Sequence, residues 1–254
     1  MQVGIVGCGK MGKMLRVFLE KAGLRVYLCS GERSSLQKLW RISDIIILAT
    51  SLKEIKNTLE EILKIAMMEP RKVLVMDIAT FKSDLFPIYS LFPKEVEVAS
   101  IHPMFGVGVR DLKGQLFLVV PIEGRERGAK SAANFIKSLD GEIQFVESAE
   151  HDRLIGFTVG VPYFIGLSYL SFSIERALGK YGGTSHKFLT LYGKFVLNDS
   201  PEFIREVIYR SRKEIDEFIS FLQKREETSV FEKISEKISI KDIKEAYERL
   251  CSIL

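Results

Sequence analysis

A chain of 254 residues with 37 lysines and arginines against 33 aspartates and glutamates, a formal charge of +4, can bury one large or two modest cores without disulfides or metals. The basic residues are interleaved with acidic ones, which argues against a nucleic-acid-binding stripe and leaves only a mild leaning toward anionic ligands. Cys8, Cys29 and Cys251 have neither paired nor metal-type spacing, so no metal site is expected, and the thiols are expected to be reduced in a cytoplasmic protein.

The chain opens directly on a strand-like run, QVGIV at 2–6, without the basic stretch and apolar core of a secretory leader. There follows a loop in which Gly7, Gly9 and Gly12 fit GxGxxG, with Lys10 and Met11 inside it, ahead of the amphipathic pattern KMGKMLRVFLEKAG. Glycine at these places permits a tight turn and close approach of the backbone to a pyrophosphate. The helix N-terminus then attracts the phosphates, so a dinucleotide cofactor is expected. The next run, RVYLC at 25–29, ends in Ser30, Gly31, Glu32, Arg33 and Ser34. At this strand end a free ribose 2′-hydroxyl usually meets a carboxylate, whereas a 2′-phosphate needs donors and positive charge. Ser30 stands in the acidic position with Arg33 and Ser34 behind it, which favours NADP; Glu32 is the competing signal for NAD.

DIIILA (44–49), KVLVMDIA (72–79), VEVASI (96–101), QLFLVV (115–120) and EIQFVE (142–147) continue the strand series, with a helical pattern at 52–68. Most of these runs are almost continuously apolar, as in a parallel sheet covered by helices on both faces. In such a sheet ligands lie beyond the carboxyl ends of the strands, so DIATFKSD (77–84) and SIHPMFG (100–106) point into the cofactor crevice. His102 is there, one of three histidines, and an imidazole can accept the proton that must leave as an alcohol is oxidised. Pro103 biases His102 toward an extended backbone. Asp77 and Lys82 are read as groups that position Thr80.

After Glu150 the strand signals stop and the remainder reads as helical, which divides the chain into domains 1–148 and 149–254. Residues 154–174, LIGFTVGVPYFIGLSYLSFSI, carry no charge and are long enough to span a bilayer. Three glycines, a proline and several hydroxyl side chains favour instead a helix buried on all sides, at a domain or subunit interface, with Pro162 kinking it. Further on, Ser200 with Pro201 opens a helical pattern that runs to 227, and Ser239 with Asp242 has capping-box spacing. His151, between Glu150 and Asp152, is read as an N-terminal or hinge residue, and His186 as a helix cap or a neighbour of the substrate.

Together GxGxxG, DIATFK at 77–82, SIHPMFG at 100–106 and E-H-D at 150–152 resemble the prephenate dehydrogenase family, including its arogenate-using members. That resemblance implies an α/β Rossmann-type N-terminal domain and an all-α C-terminal dimerisation domain that builds a homodimer. It also implies oxidative decarboxylation of prephenate or arogenate in tyrosine biosynthesis. His102 matches the histidine that takes the ring hydroxyl proton while hydride passes to the nicotinamide, and Thr80 stands where the family commonly has serine. Two departures follow. The stretch V-G-V-P-Y-F at 159–164 has Val159, Gly160 and Pro162 where the family offers polar substrate contacts, so only Tyr163 can hydrogen-bond through its side chain. Lys194 replaces an arginine that holds a substrate carboxylate, keeping the charge but not the bidentate fork. These departures leave two alternatives: a related NADP-dependent dehydrogenase of another small hydroxy acid, or a dinucleotide-sensing dimer without catalysis.

Overall fold

The computed structural model describes residues 1–224, 234 and 237–253, apart from the side chains of Cys251 and Ile253. Cys251 as a thiol, and the helical reading of 225–227, fall outside the described residues. The chain divides into two compact units, Met1–Asp152 and Arg153–Leu254.

In the first unit every strand-like run forms a strand: β1 (Gln2–Val6), β2 (Arg25–Cys29), β3 (Ile45–Leu48), β4 (Val73–Asp77), β5 (Val96–Pro103), β6 (Leu116–Val120) and β7 (Glu142–Phe145). They make one sheet in the order β2-β1-β3-β4-β5-β6-β7. The chain winds outward from β1 to β2 and then, from β3, in the other direction. The strand order therefore reverses between β1 and β3, which opens the crevice used by ligands of doubly wound sheets. The unit is a Rossmann-type nucleotide-binding fold.

Helices α1 (Lys10–Lys21), α2 (Arg33–Ile42), α3 (Ile55–Met68), α4 (Phe86–Tyr89) and α5 (Glu126–Lys137) cover the sheet. Because side chains alternate along a strand, each run supplies both faces. Val3, Ile5, Ile45, Ile47, Leu74 and Met76 join the core under α1 and α5. Val6, Ile46, Leu48, Val73, Val75 and Val98 join the core with α2 and α3. Helix α5 lies so close to β5 that a Cβ on Gly128 would come within 1.9 Å of the Val98 carbonyl oxygen, so no larger residue fits there.

The sheet is parallel, as expected, except at one pair: β6 runs antiparallel to β5, with Ile101 opposite Val119. A parallel return needs a crossover, usually a helix, and no helix lies between β5 and β6. The chain instead turns back on itself, and α5 then restores parallel pairing between β6 and β7.

Helix α6 (Ser148–Ile155) begins in the first unit and ends in the second, where a π-helical turn (Gly156–Gly160) leads into α7 (Val161–Glu175). The second unit continues with a 3₁₀ turn (Leu178–Lys180), α8 (Thr184–Val196), α9 (Pro201–Arg210), α10 (Arg212–Gln223) and α11 (Ile240–Ile253), so its described residues are helical. Proline at 162 has no N–H to give the carbonyl four residues back. The chain adapts with a wider turn, in which the Val161 N–H bonds the Gly156 carbonyl. The glycines of this turn allow close packing: a Cβ on Gly160 would meet Ser211 Oγ at 2.1 Å, and one on Gly156 would meet Glu214 Oε2 at 2.7 Å.

The expected caps form. Ser200 Oγ accepts the N–H of Phe203 at 3.2 Å, and Ser239 Oγ accepts the N–H of Asp242 at 3.1 Å while donating to its carboxylate at 2.7 Å. The uncharged helix is not buried on all sides: about a third of its most apolar window is covered, and Phe172 and Ile174 are exposed. By length and composition Ser148–Glu175 could cross a membrane. A helix packed along one face by α8 to α10 can hide only one stripe, which is why the rest of its apolar surface stays open.

Candidate active site

The register of the parallel strands sets Cys29, Val6, Leu48, Asp77 and Ser100 in one row across the sheet. The residues just beyond that row form a single rim. From β1 to β5 there are three inter-strand steps, roughly 14 Å at about 4.8 Å each. The glycine loop and His102 therefore occupy one edge of the sheet.

Gly7 closes the turn after β1 at φ +120°, with its N–H on the Cys29 carbonyl. A Cβ there would lie 2.4 Å from the Ala49 carbonyl, and one on Gly12 would lie 2.1 Å from the Gly7 carbonyl. Nothing lies within 4 Å of where a Cβ of Gly9 would be, so the space in front of the loop is open. Gly9 is the N-cap of α1 and gives it no side-chain cap, so the positive end of the helix faces the open space. Thr50 Oγ1, beside the loop, is buried without a partner among the described residues. A glycine turn with open space before it, at a helix N-terminus and beside an orphaned hydroxyl, suits a dinucleotide pyrophosphate. Met11 packs partly against the core below α1, so its backbone rather than its side chain belongs to the cradle. At the end of β2, Gly31 turns the chain at φ +99°, and Ser30, Glu32, Arg33 and Ser34 are all exposed on the rim, with Glu32 as the N-cap of α2.

The ends of β4 and β5 carry a buried polar cluster. Asp77 Oδ1 accepts the Ala79 N–H at 2.8 Å and Lys82 Nζ at 2.6 Å; Oδ2 accepts Tyr89 OH at 2.9 Å and Ser100 Oγ at 2.6 Å. Lys82 and Asp77 are both fully buried, and Lys82 Nζ also donates to the Ile101 carbonyl at 2.6 Å, fixing the peptide that precedes His102. Burial lowers the Lys82 ammonium pKa, opposed by Asp77, and burial beside Asp77 lifts the Tyr89 phenol well above its usual value. The turn 77–82 is thus pinned at both ends, with Thr80, a partly buried residue, between them.

His102 is buried, with its Nδ1 3.3 Å from His151 Nε2. His151, itself fully buried, sets its Nδ1 2.8 Å from Asp152 Oδ1. Asp152 in turn accepts the backbone N–H of Lys82 at 2.8 Å and of Ser83 at 3.0 Å. Burial, reinforced by the charge of Lys82, holds the His102 imidazole well below its usual pKa. Burial also lowers His151, against the pull of Asp152. Burial pushes the Asp152 carboxyl up, but the bonds from His151, Ser83 and Lys82 outweigh it and keep the group well below the usual carboxylate range. The cluster therefore presents a neutral imidazole, able to take a proton, on the same rim as a nucleotide cradle.

His151 and Asp152 were missed as parts of this cluster. The sequence signal was E-H-D after the last strand, and nothing local tells that His151 meets a ring 49 positions away. In the second unit, Tyr163 OH donates to Asp199 at 2.5 Å, and burial beside that carboxylate raises the phenol pKa. Lys194 lines an open cavity of about 480 Å³ with Ser173, Lys180, His186, Lys187 and Thr190, and Tyr163 is not part of that wall. His186 is not a cap, since Gly183 holds that place in α8; its ring lies 3.1 Å from Tyr169 OH and 3.5 Å from Ser173 Oγ.

Residues 2–150 match the family described as the NAD binding domain of 6-phosphogluconate dehydrogenase. Among curated proteins, a probable arogenate/prephenate dehydrogenase of Methanocaldococcus jannaschii is 28% identical over 129 residues, covering 49% of this chain and 28% of that protein. A probable prephenate dehydrogenase (NADP+) of Schizosaccharomyces pombe is 22% identical over 183 residues, covering 64% and 41%. The matches thus span less than half the length of either relative. Among solved structures, prephenate dehydrogenase from A. aeolicus in complex with hydroxyphenyl propionate and NAD+ shares the fold, with a TM-score of 0.72, 16% identity, and coverage of 100% of this chain and 98% of that one.

Proposed function

Since the chain belongs, through residues 2–150, to the family of the NAD binding domain of 6-phosphogluconate dehydrogenase, we propose that it is a nicotinamide-dependent dehydrogenase that oxidises prephenate or arogenate with loss of carbon dioxide, on the route to tyrosine. The observation that carries this reading is His102: a buried, neutral imidazole at the end of β5, tied through Nδ1 to His151, on the rim that also carries the glycine cradle.

Gly7, Gly9 and Gly12, with Lys10 and Met11 in the same loop, hold the pyrophosphate. Ser30, Arg33 and Ser34 receive a 2′-phosphate, which makes NADP the preferred cofactor, with Glu32 the residue that would favour NAD. When bound, the cofactor supplies an acceptor for the hydride on the hydroxyl-bearing ring carbon. His102 takes the hydroxyl proton as the carbonyl forms, and returns it to the ring oxygen once carbon dioxide has left and the ring has become aromatic. Thr80, held between Asp77 and Lys82, orients that hydroxyl. Much of the driving force is aromatisation, so the residues need mainly to align groups and hold charge.

The second unit is the proposed substrate and dimerisation domain. Lys194 pairs with a substrate carboxylate, while Tyr163, whose proton goes to Asp199, offers the substrate only an acceptor. Phe172, Ile174, Phe188, Leu191, Phe195 and Leu197 are large apolar side chains left exposed on α7, α8 and the residue that follows, a surface suited to a second copy in a soluble cytoplasmic homodimer.

The test is the formation of reduced nicotinamide with prephenate and arogenate, each with NADP and NAD. Turnover by the parent protein and its loss in His102→Asn, with cofactor binding retained, supports the reading. Full activity in His102→Asn overturns it.

A further inference from the structure

An imidazole is a base only at the nitrogen that lacks a proton, so the tautomer of His102 decides whether it can serve a substrate. The hydrogen-bond chain behind it fixes that tautomer. Asp152, ionised and holding the amides of Lys82 and Ser83, can only accept. His151, 2.8 Å away, must therefore carry its proton on Nδ1. Its Nε2, then a bare lone pair, faces His102 Nδ1 at 3.3 Å. Two lone pairs would repel at that distance, so His102 holds its proton on Nδ1 and Nε2 is left bare. The other charged and titratable groups around the pair do not alter this chain. Lys82, from the turn after β4, is committed to Asp77 and the Ile101 carbonyl, and Tyr89, from α4, donates to Asp77.

We infer that His151 and Asp152 are positioning residues, which lock His102 in the Nδ1–H tautomer with Nε2 as the base and offset the positive charge that appears when Nε2 takes a proton. The role is that of a carboxylate that orients a catalytic histidine, extended here by one further ring. Its catalytic consequence rests on the dehydrogenase reading; the tautomer itself does not.

The experiment is nitrogen-15 NMR of the full chain with labelled histidine, at neutral pH and without substrate, followed by kinetics. The parent protein should show His102 and His151 both protonated on Nδ1. In His151→Leu, which removes the acceptor but keeps the site apolar and filled, His102 should lose its Nδ1–H preference. The kcat should then fall by about 10²-fold, the lower end of what a positioned base contributes, with KM for substrate and cofactor little changed. His151→Gln restores an acceptor at the position of Nε2 and should recover the tautomer and about a tenth or more of kcat. Finding His102 protonated on Nε2 in the parent protein overturns the inference whatever the variants do, as does an unchanged tautomer and kcat in His151→Leu. If the parent shows the Nδ1–H pair but oxidises neither prephenate nor arogenate, the tautomer lock stands and the substrate reading alone fails.

Discussion

Replacing Lys82 by methionine tests the electrostatic core of the first unit. The side chain is fully buried, as is its partner, with Nζ 2.6 Å from both Asp77 Oδ1 and the Ile101 carbonyl oxygen. Methionine fills much of the same volume but leaves the Asp77 carboxylate without a counter-charge, in a place water does not reach. Removing one partner of a buried pair costs about 3–5 kcal/mol, because an uncompensated charge stays behind. For a unit of this size each kcal/mol moves the melting temperature by about 2–4 °C, so the first unit should melt roughly 6–20 °C lower. Scanning calorimetry is the assay, since it can follow a transition of one unit apart from the other. Adding Asp77→Asn to Lys82→Met should recover part of the loss, as no buried charge then remains. If Lys82→Met melts within about 2 °C of the parent protein, Asp77 and Lys82 do not form a charged, water-free pair and the account of the strand ends is wrong.

Acid should weaken the fold first through its two buried, neutral histidines. Burial holds His102 and His151 below the usual imidazole range, whereas in the unfolded chain they titrate near 6.5. Below about pH 6.5 the unfolded chain binds more protons, so the stability contributed by the neutral pair is intact above that pH and declines beneath it by up to about 1.4 kcal/mol per pH unit per histidine. Asp152, whose carboxyl is held low, adds to the loss only below about pH 4. A melting temperature that stays level from pH 7.5 to 5.5 would contradict this. In the second unit, Gly160→Ala drives a methyl group into Ser211 Oγ and should destabilise by about 1–3 kcal/mol in denaturant titration. Ser211→Gly in the same chain should relieve it, because the next atom in the way, Ser211 Cα, is 3.7 Å off; no relief would refute the close-packing account of the π turn.

The strands were legible because most are short apolar runs, and in the central ones alternate residues face two cores, as in the fully buried IIIL at 45–48. Strand direction was not legible. Nothing in LFLVV distinguishes a parallel from an antiparallel neighbour, and only the lack of a crossover helix before it bears on the matter. The site was half legible for a similar reason. The glycine loop and His102 announce themselves by local spacing, and the Asp77–Lys82 pair lies within one turn of chain. The bond between His102 and His151 joins the ends of two elements far apart in sequence, so E-H-D read as a helix start rather than as the back wall of a base. How far the long apolar helix is covered within one chain was not legible, since absence of charge says how much surface wants covering and not whether this chain or another covers it.

Asp77 has a further consequence for how the rim of the sheet holds together. Four donors converge on its two oxygens, one each from a main-chain amide, an ammonium, a phenol and an alcohol. A carboxylate so thoroughly engaged works as mortar: it binds the end of β4, the turn after it, α4 and β5 into one piece, so replacing it would loosen four contacts at once.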